Sequence, residues 1–164
     1  MNNGDGYLRP QEKLKGNFGM AKKVKVALVG FGTVGTGVVR ILQTRGEEIS
    51  RKTGLTFELA HVVDMDIQRN RGLTLADGVL HDDLVRAVGD DQVDIAVELV
   101  GGTGIAGQIV MDMLKSGKDV VTANKALLAE RGEEIFATAR QQGRCVAFEA
   151  SCGGGIPLVS SIRS

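Results

Sequence analysis

The sequence predicts an α/β protein: a doubly wound, mostly parallel sheet with helices on both faces. Three observations carry that expectation. Apolar, β-branched runs alternate with helical patterns five times along the chain, the arrangement that calls for crossover connections between parallel strands. The first such run ends in a glycine turn that opens at once into a helix. The segments rich in Gly, Thr, Asn and charged side chains fall just past strand ends, the edge at which open α/β sheets bind ligands.

Val24-Lys25-Val26-Ala27-Leu28-Val29 reads as the first strand, and Gly30-Phe31-Gly32-Thr33-Val34-Gly35 as the turn after it. Each glycine has a separate task. Gly30 permits the sharp turn, Gly32 lets backbone approach a pyrophosphate, and Gly35 lets the next helix pack closely on the sheet. The helix start adds unpaired N–H groups and a partial positive charge. This is a Rossmann-type arrangement, and it makes a dinucleotide the expected ligand.

Val34, Val38, Ile41, Leu42 and Ile49 keep helical spacing to about Arg51, with Gly54 as the stop. Leu55–Asp64 reads as the second strand. Asp64 at its end is the candidate for the adenosine ribose, further from the glycine motif than the usual ~20 positions because the first helix is long. Arg69 and Arg71 follow closely and would instead suit a ribose 2′-phosphate, so both cofactor types stay open. Residues 65–81 look irregular. A short helix is expected over Asp82–Val88, with its acidic residues at the favoured end.

Val93–Val100 is the third expected strand, running into Gly101-Gly102-Thr103 with Thr103 as a helix cap. Gly101 and Thr103 join the candidate cofactor contacts. A helix follows over about Gly104–Lys115, then a strand over Asp119–Ala123 with Asn124-Lys125 at its end. The next helix spans about Ala126–Gln142 and stops at Gly143. A fifth strand, Cys145–Ala150, leads into Ser151-Cys152-Gly153-Gly154-Gly155-Ile156-Pro157, where Pro157 suits the first turn of another helix.

Composition narrows the function classes. The chain has 164 residues, enough for one domain with a real core. Its 20 basic and 20 acidic side chains cancel, which argues against a nucleic-acid surface. No apolar run approaches the ~20 residues of a membrane span. Cys145 and Cys152 make no disulfide framework and have no zinc-type spacing with histidine. A reduced, cytoplasmic protein is expected. Residues 1–20 are polar and aperiodic, an expected disordered leader or extension, and 21–164 are expected to form the dinucleotide-binding domain.

Four segments carry a family resemblance: Gly30-Phe31-Gly32-Thr33-Val34-Gly35, Val97-Glu98-Leu99-Val100-Gly101-Gly102, Val121-Thr122-Ala123-Asn124-Lys125 and Phe148–Pro157. Together they resemble homoserine dehydrogenase over roughly residues 22–163. The resemblance implies interconversion of L-homoserine and L-aspartate 4-semialdehyde with NAD or NADP, on the route to threonine, methionine and isoleucine. It implies that Phe31, Thr33 and Val34 line the cofactor diphosphate, and that Lys125 meets cofactor or substrate and takes part in proton transfer. Unaided chemistry agrees on Lys125, because hydride addition to an aldehyde develops alkoxide charge that an ammonium can stabilise. The resemblance further implies a monovalent cation, usually sodium, held largely by main-chain oxygens at Glu149, Cys152, Gly154 and Ile156. A glycine-rich turn can aim several carbonyls at such a hard cation.

The family's substrate domain supplies an Asn-Gly-Thr segment, acidic residues that grip homoserine and a second lysine, none of which is present. Cofactor binding without turnover of homoserine is therefore expected of this chain, and a homodimer is expected of the full-length enzyme, with the fragment itself monomeric. Two rival readings stand beside it. Ser151-Cys152 is similar to the nucleophile of aldehyde dehydrogenases of the glyceraldehyde-phosphate type, which need a histidine base; His61 and His81 are the two histidines on offer. A nucleotide-sensing module without chemistry is the other.

Overall fold

The computed structural model describes residues 22–152. The expected leader at 1–20, Gly154, Ile156 and the helix expected from Pro157 lie outside them. Six strands form one parallel sheet: β1 (Lys22–Val29), β2 (Leu55–Val63), β3 (Leu80–His81), β4 (Ile95–Glu98), β5 (Asp119–Thr122) and β6 (Val146–Ala147). Their order across the sheet is β3-β2-β1-β4-β5-β6. The connecting helices are α1 (Thr33–Thr53), α2 (Leu84–Gly89), α3 (Gly104–Lys115) and α4 (Lys125–Gln142). The chain runs outward from β1 in both directions, so β1 and β4 stand at the point where strand order reverses.

Two cores follow from that winding. On one face α1 buries Val39 against Leu28 and Val62, with Phe31 beside them. Leu73, Leu75 and Val79 of the loop after β2 complete this core. On the other face Ala106, Ile109, Val110, Met113 and Leu114 of α3 pack with Ala27, Val29 and Ala96 of the sheet and with Leu127 and Ile135 of α4. β1, buried on both faces, is correspondingly apolar from Val26 to Val29.

The helix stops sit where the glycines placed them. Gly54 and Gly143 both adopt the left-handed conformation that ends a helix, at φ 72° and 62°. Asp83 caps α2 by accepting from the Arg86 N–H, so the helix starts two residues later than the acidic pair suggested. Thr103 occupies the N-cap position of α3 but makes no side-chain cap bond.

Three differences from the expected elements have local causes. β3 is a sixth strand inside a stretch without period; two residues cannot display alternation, and pairing with Val62 and Val63 creates the strand. The third expected strand shrinks to four residues, because Leu99 and Val100 already turn toward the glycine loop. The fifth keeps only Val146–Ala147, and Glu149–Ser151 form a single 3₁₀ turn. β2 also carries a bulge that leaves Ala60 between the pairs Val26–Leu59 and Ala27–His61. It keeps Val62 opposite Leu28 in the α1 core and sends His61 to the opposite face.

Candidate cofactor-binding site

The glycine turn at the end of β1 is built by close approach. The Gly30 N–H bonds to the Val63 carbonyl of β2 at 2.9 Å, and the Leu99 N–H bonds to the Val29 carbonyl at 2.8 Å. Gly30 has φ 101°, and a Cβ there would stand 2.7 Å from the Leu99 backbone. A Cβ on Gly35 would stand 2.1 Å from the Gly30 carbonyl oxygen. Gly32 is the opposite case. Nothing lies within 4 Å of its missing Cβ, and it faces open space at the head of α1. As N-cap it has no side chain to accept from the first-turn N–H groups. Thr33 and Val34 are exposed beside it, Val34 at 59%.

Phe31 differs from its neighbours. Its ring is 2% exposed and belongs to the α1 core, with the Arg71 guanidinium 4.7 Å above the ring centroid. Both backbone groups of Phe31 are taken. Its N–H donates to Asp64 Oδ2 at 2.6 Å, and its carbonyl accepts from Arg71 Nε at 2.5 Å.

Asp64 stands at the end of β2, at the edge of the same cleft, with its carboxylate engaged on both oxygens. Oδ1 accepts from the Asp66 N–H at 2.8 Å and pairs with Arg71 Nη2 at 3.1 Å. Arg71 in turn donates from Nη1 to the carbonyls of Asp66 and Arg69. The loop after β2 is thus wrapped around one nearly buried guanidinium. Between this loop and α1 opens a cleft of about 350 Å³ lined by Gly32, Thr33, Arg40, Arg69, Asn70 and Arg71 among others. Arg40 and Arg69 are exposed in it. An anion entering the cleft would meet cations on both walls and the N-terminus of α1.

On the other side of the reversal point, the loops after β4, β5 and β6 lie side by side. Glu98 ends β4 with its carboxylate 1% exposed. Gly101 and Gly102 follow with φ 81° and 73°. Asn124 caps α4 by accepting from the Leu127 N–H at 3.1 Å, and its Nδ2 reaches across to the Gly102 carbonyl at 2.6 Å. Lys125 is the first residue of α4, exposed, at the end of the helix where the dipole disfavours a cation.

Of the four residues expected to hold a cation, Glu149 and Cys152 are described. The Glu149 carbonyl accepts from the Cys152 N–H at 3.1 Å, closing the 3₁₀ turn. Cys152 is half-buried, beside Lys125 and the edge-to-face pair Phe136 and Phe148. Both histidines lie at the far edge of the sheet, on β2 and β3, bonded to each other at 2.9 Å. A thiol on the β6 side has no histidine partner there, which removes the base that the cysteine-nucleophile reading needs.

The sequence reading did not anticipate Arg40, Glu98 or Thr122 at this edge. Arg40 carried a signal, one basic residue two turns into the helix that opens the motif. Glu98 and Thr122 stood inside two of the segments that carry the family resemblance, but nothing in their type or spacing marked them as site residues, since a polar residue ending an apolar strand is ordinary.

Comparison with known proteins agrees with the fold. The family model described as the NAD-binding domain of homoserine dehydrogenase matches residues 30–149. The homoserine dehydrogenase of Neisseria gonorrhoeae is 41% identical over 142 residues, covering 87% of this chain and 32% of that protein. That of Pseudomonas aeruginosa is equally similar over the same shares. The crystal structure of a homoserine dehydrogenase from Thiobacillus denitrificans superposes with a TM-score of 0.78 at 39% identity, covering 87% of this chain and 33% of that one. The chain spans about a third of the length of the curated relatives it matches.

Proposed function

This chain belongs to the homoserine dehydrogenase family, and we propose that it is the cofactor-binding part of an enzyme interconverting L-homoserine and L-aspartate 4-semialdehyde, with NADP(H) as the preferred cofactor. The carrying observation is the glycine turn. Gly30 and Gly35 are sites where no Cβ fits, while Gly32 faces open space at a helix N-terminus, as pyrophosphate binding requires.

Preference for the 2′-phosphate rests on the second strand. Asp64 is committed to Phe31, Asp66 and Arg71, so it is a loop anchor before it is a ribose ligand. Arg40 and Arg69 supply the positive walls that a phosphate in that cleft would need. The glycine turn with Thr33 and Val34 takes the diphosphate, and Gly101, Thr103 and Lys125 take the nicotinamide side.

Bound at this edge, a nicotinamide would supply or accept the hydride. Lys125 does the remaining work: its ammonium stabilises alkoxide charge on the aldehyde oxygen and gives that oxygen its proton. The groups that grip the amino-acid end of the substrate belong to a further domain. A sodium-type cation on main-chain oxygens of the loop 149–156, a homodimeric full-length enzyme and a cytoplasmic location complete the proposal. Among the described residues no helix is long and apolar enough to cross a membrane.

Titration of the chain with NADPH and NADH, followed by nicotinamide fluorescence, tests the reading. NADPH should bind at least tenfold more tightly, with no turnover of homoserine by the chain alone. Tighter binding of NADH would return the ribose to Asp64. Binding of neither by a folded sample would overturn the proposal.

A further inference from the structure

We infer that Glu98 is a positioning residue for the nicotinamide half of the site, acting through Thr122 and Asn124; the inference rests on the cofactor reading above. Three donors converge on its buried carboxylate. Oε1 accepts from the Val100 N–H at 2.8 Å and the Gly101 N–H at 3.2 Å, while Oε2 accepts from Thr122 Oγ1 at 2.6 Å. Thr122 is fully buried, and its Oγ1 accepts in turn from the Asn124 N–H at 3.1 Å. Asn124 then closes the ring by donating to the Gly102 carbonyl. Ser151 Oγ bonds to the Thr122 carbonyl at 2.8 Å, bringing the loop after β6 onto the same node.

Three chain segments that share no helix or strand are therefore fixed to one another by four side chains, those of Glu98, Thr122, Asn124 and Ser151. The coupling is directional in its chemistry. A carboxylate is an acceptor only, and here it meets donors alone. A glutamine would have to turn its NH₂ toward one of them. Glu98 makes no salt bridge among the described residues. An apolar residue would end a buried strand at lower desolvation cost. What the charge does instead is hold two successive left-handed glycines, Gly101 and Gly102, against the first turn of α4, where Lys125 stands. In a doubly wound sheet this half, β4 to β6, takes the nicotinamide mononucleotide, and the β1–β3 half takes the adenosine.

The division of the site into halves supplies the test. NADPH spans both, whereas adenosine 2′,5′-bisphosphate occupies only the adenosine half. In wild type both should bind, NADPH more tightly. Glu98→Gln and Thr122→Val should each weaken NADPH about tenfold and leave the bisphosphate within about twofold. Thr122→Ser, which restores the hydroxyl, should recover NADPH binding. Circular dichroism checks that each variant is folded, and the Thr122→Val and Thr122→Ser pair decides the matter if Glu98→Gln is not. Equal weakening of both ligands, unchanged NADPH binding, or no rescue by serine would overturn the inference. Wild type that binds neither ligand would instead bring down the cofactor reading itself.

Discussion

The Arg71 guanidinium and the Asp64 carboxylate hold each other at 3.1 Å across the loop that follows β2. The same arginine covers the Phe31 ring and the same aspartate caps the Phe31 N–H. One ion pair thus joins the glycine turn of β1 to the loop that forms the far wall of the cleft beside α1.

Arg71→Met should loosen that wall. With Arg71 side chain only 6% exposed, its loss should cost roughly 2 kcal/mol of stability, read as a lowered urea midpoint. It should also strip Asp64 Oδ1 of its cationic partner, leaving only the Asp66 N–H on that oxygen, and shift the NADPH-to-NADH affinity ratio toward NADH. Arg40→Ala, at an exposed position, should leave stability unchanged and weaken NADPH alone by about tenfold.

Gly35→Ala and Gly32→Ala should fail in different assays. The first forces a methyl group to 2.1 Å from the Gly30 carbonyl oxygen and should destabilise by about 3 kcal/mol. The second meets nothing within the protein, and Gly32 has an ordinary φ of −75°. It should cost under about 1 kcal/mol, mostly as a poorer cap, yet weaken NADPH more than tenfold by placing a Cβ against the diphosphate. Equal losses of stability in the two variants would contradict this division.

Stability should rise with pH through the histidine range. His61 Nε2 bonds to Asp90 Oδ2 at 3.0 Å and His61 Nδ1 to His81 Nε2 at 2.9 Å, while His81 Nδ1 is a buried atom without a partner. Burial and the nearby Arg86 lower the pKa of His81 below its ordinary 6.5. As pH falls from 6.5 toward that lower value, the unfolded chain takes up a proton that the folded one refuses, and stability drops. Asp90, its pKa lowered by the bond from His61, adds stability present above 3.8 and lost below it, with the same sign. Urea midpoints from pH 5 to 8 should therefore climb, and His81→Gln should flatten the climb near 6.5. A midpoint that falls with pH would refute the assignment.

Lys118 separates packing from charge. It is 1% exposed, its Nζ donating to the Val88 carbonyl at 2.7 Å and to Ser116 Oγ at 3.2 Å, and burial lowers its pKa. Lys118→Met keeps the stem and removes a buried charge, so thermal unfolding should change by no more than about 1 kcal/mol. Lys118→Ala leaves the Val88 carbonyl unpaired, as methionine also does, but opens a cavity as well and should cost about 3 kcal/mol.

The legible parts of this fold were the ones that a single segment decides. Val26 to Val29, buried on both faces, must be apolar whatever lies around them, and Gly54 and Gly143 stop their helices through their own backbone freedom. β3 was illegible because two residues hold no period, and β6 was overextended because Phe148–Ala150 look apolar enough for a strand but curl into a turn. The bulge at Ala60 leaves no trace in composition.

At the site the same boundary applies. The sequence by itself determined the parallel α/β architecture, the glycine turn and the family, since each is written in contiguous residues. Only the tertiary structure decided what Asp64 and Glu98 are bonded to. Their distant partners lie on other elements, and a carboxylate's role depends on which donors reach it: Arg71 and the Phe31 N–H for one, the Thr122 hydroxyl for the other.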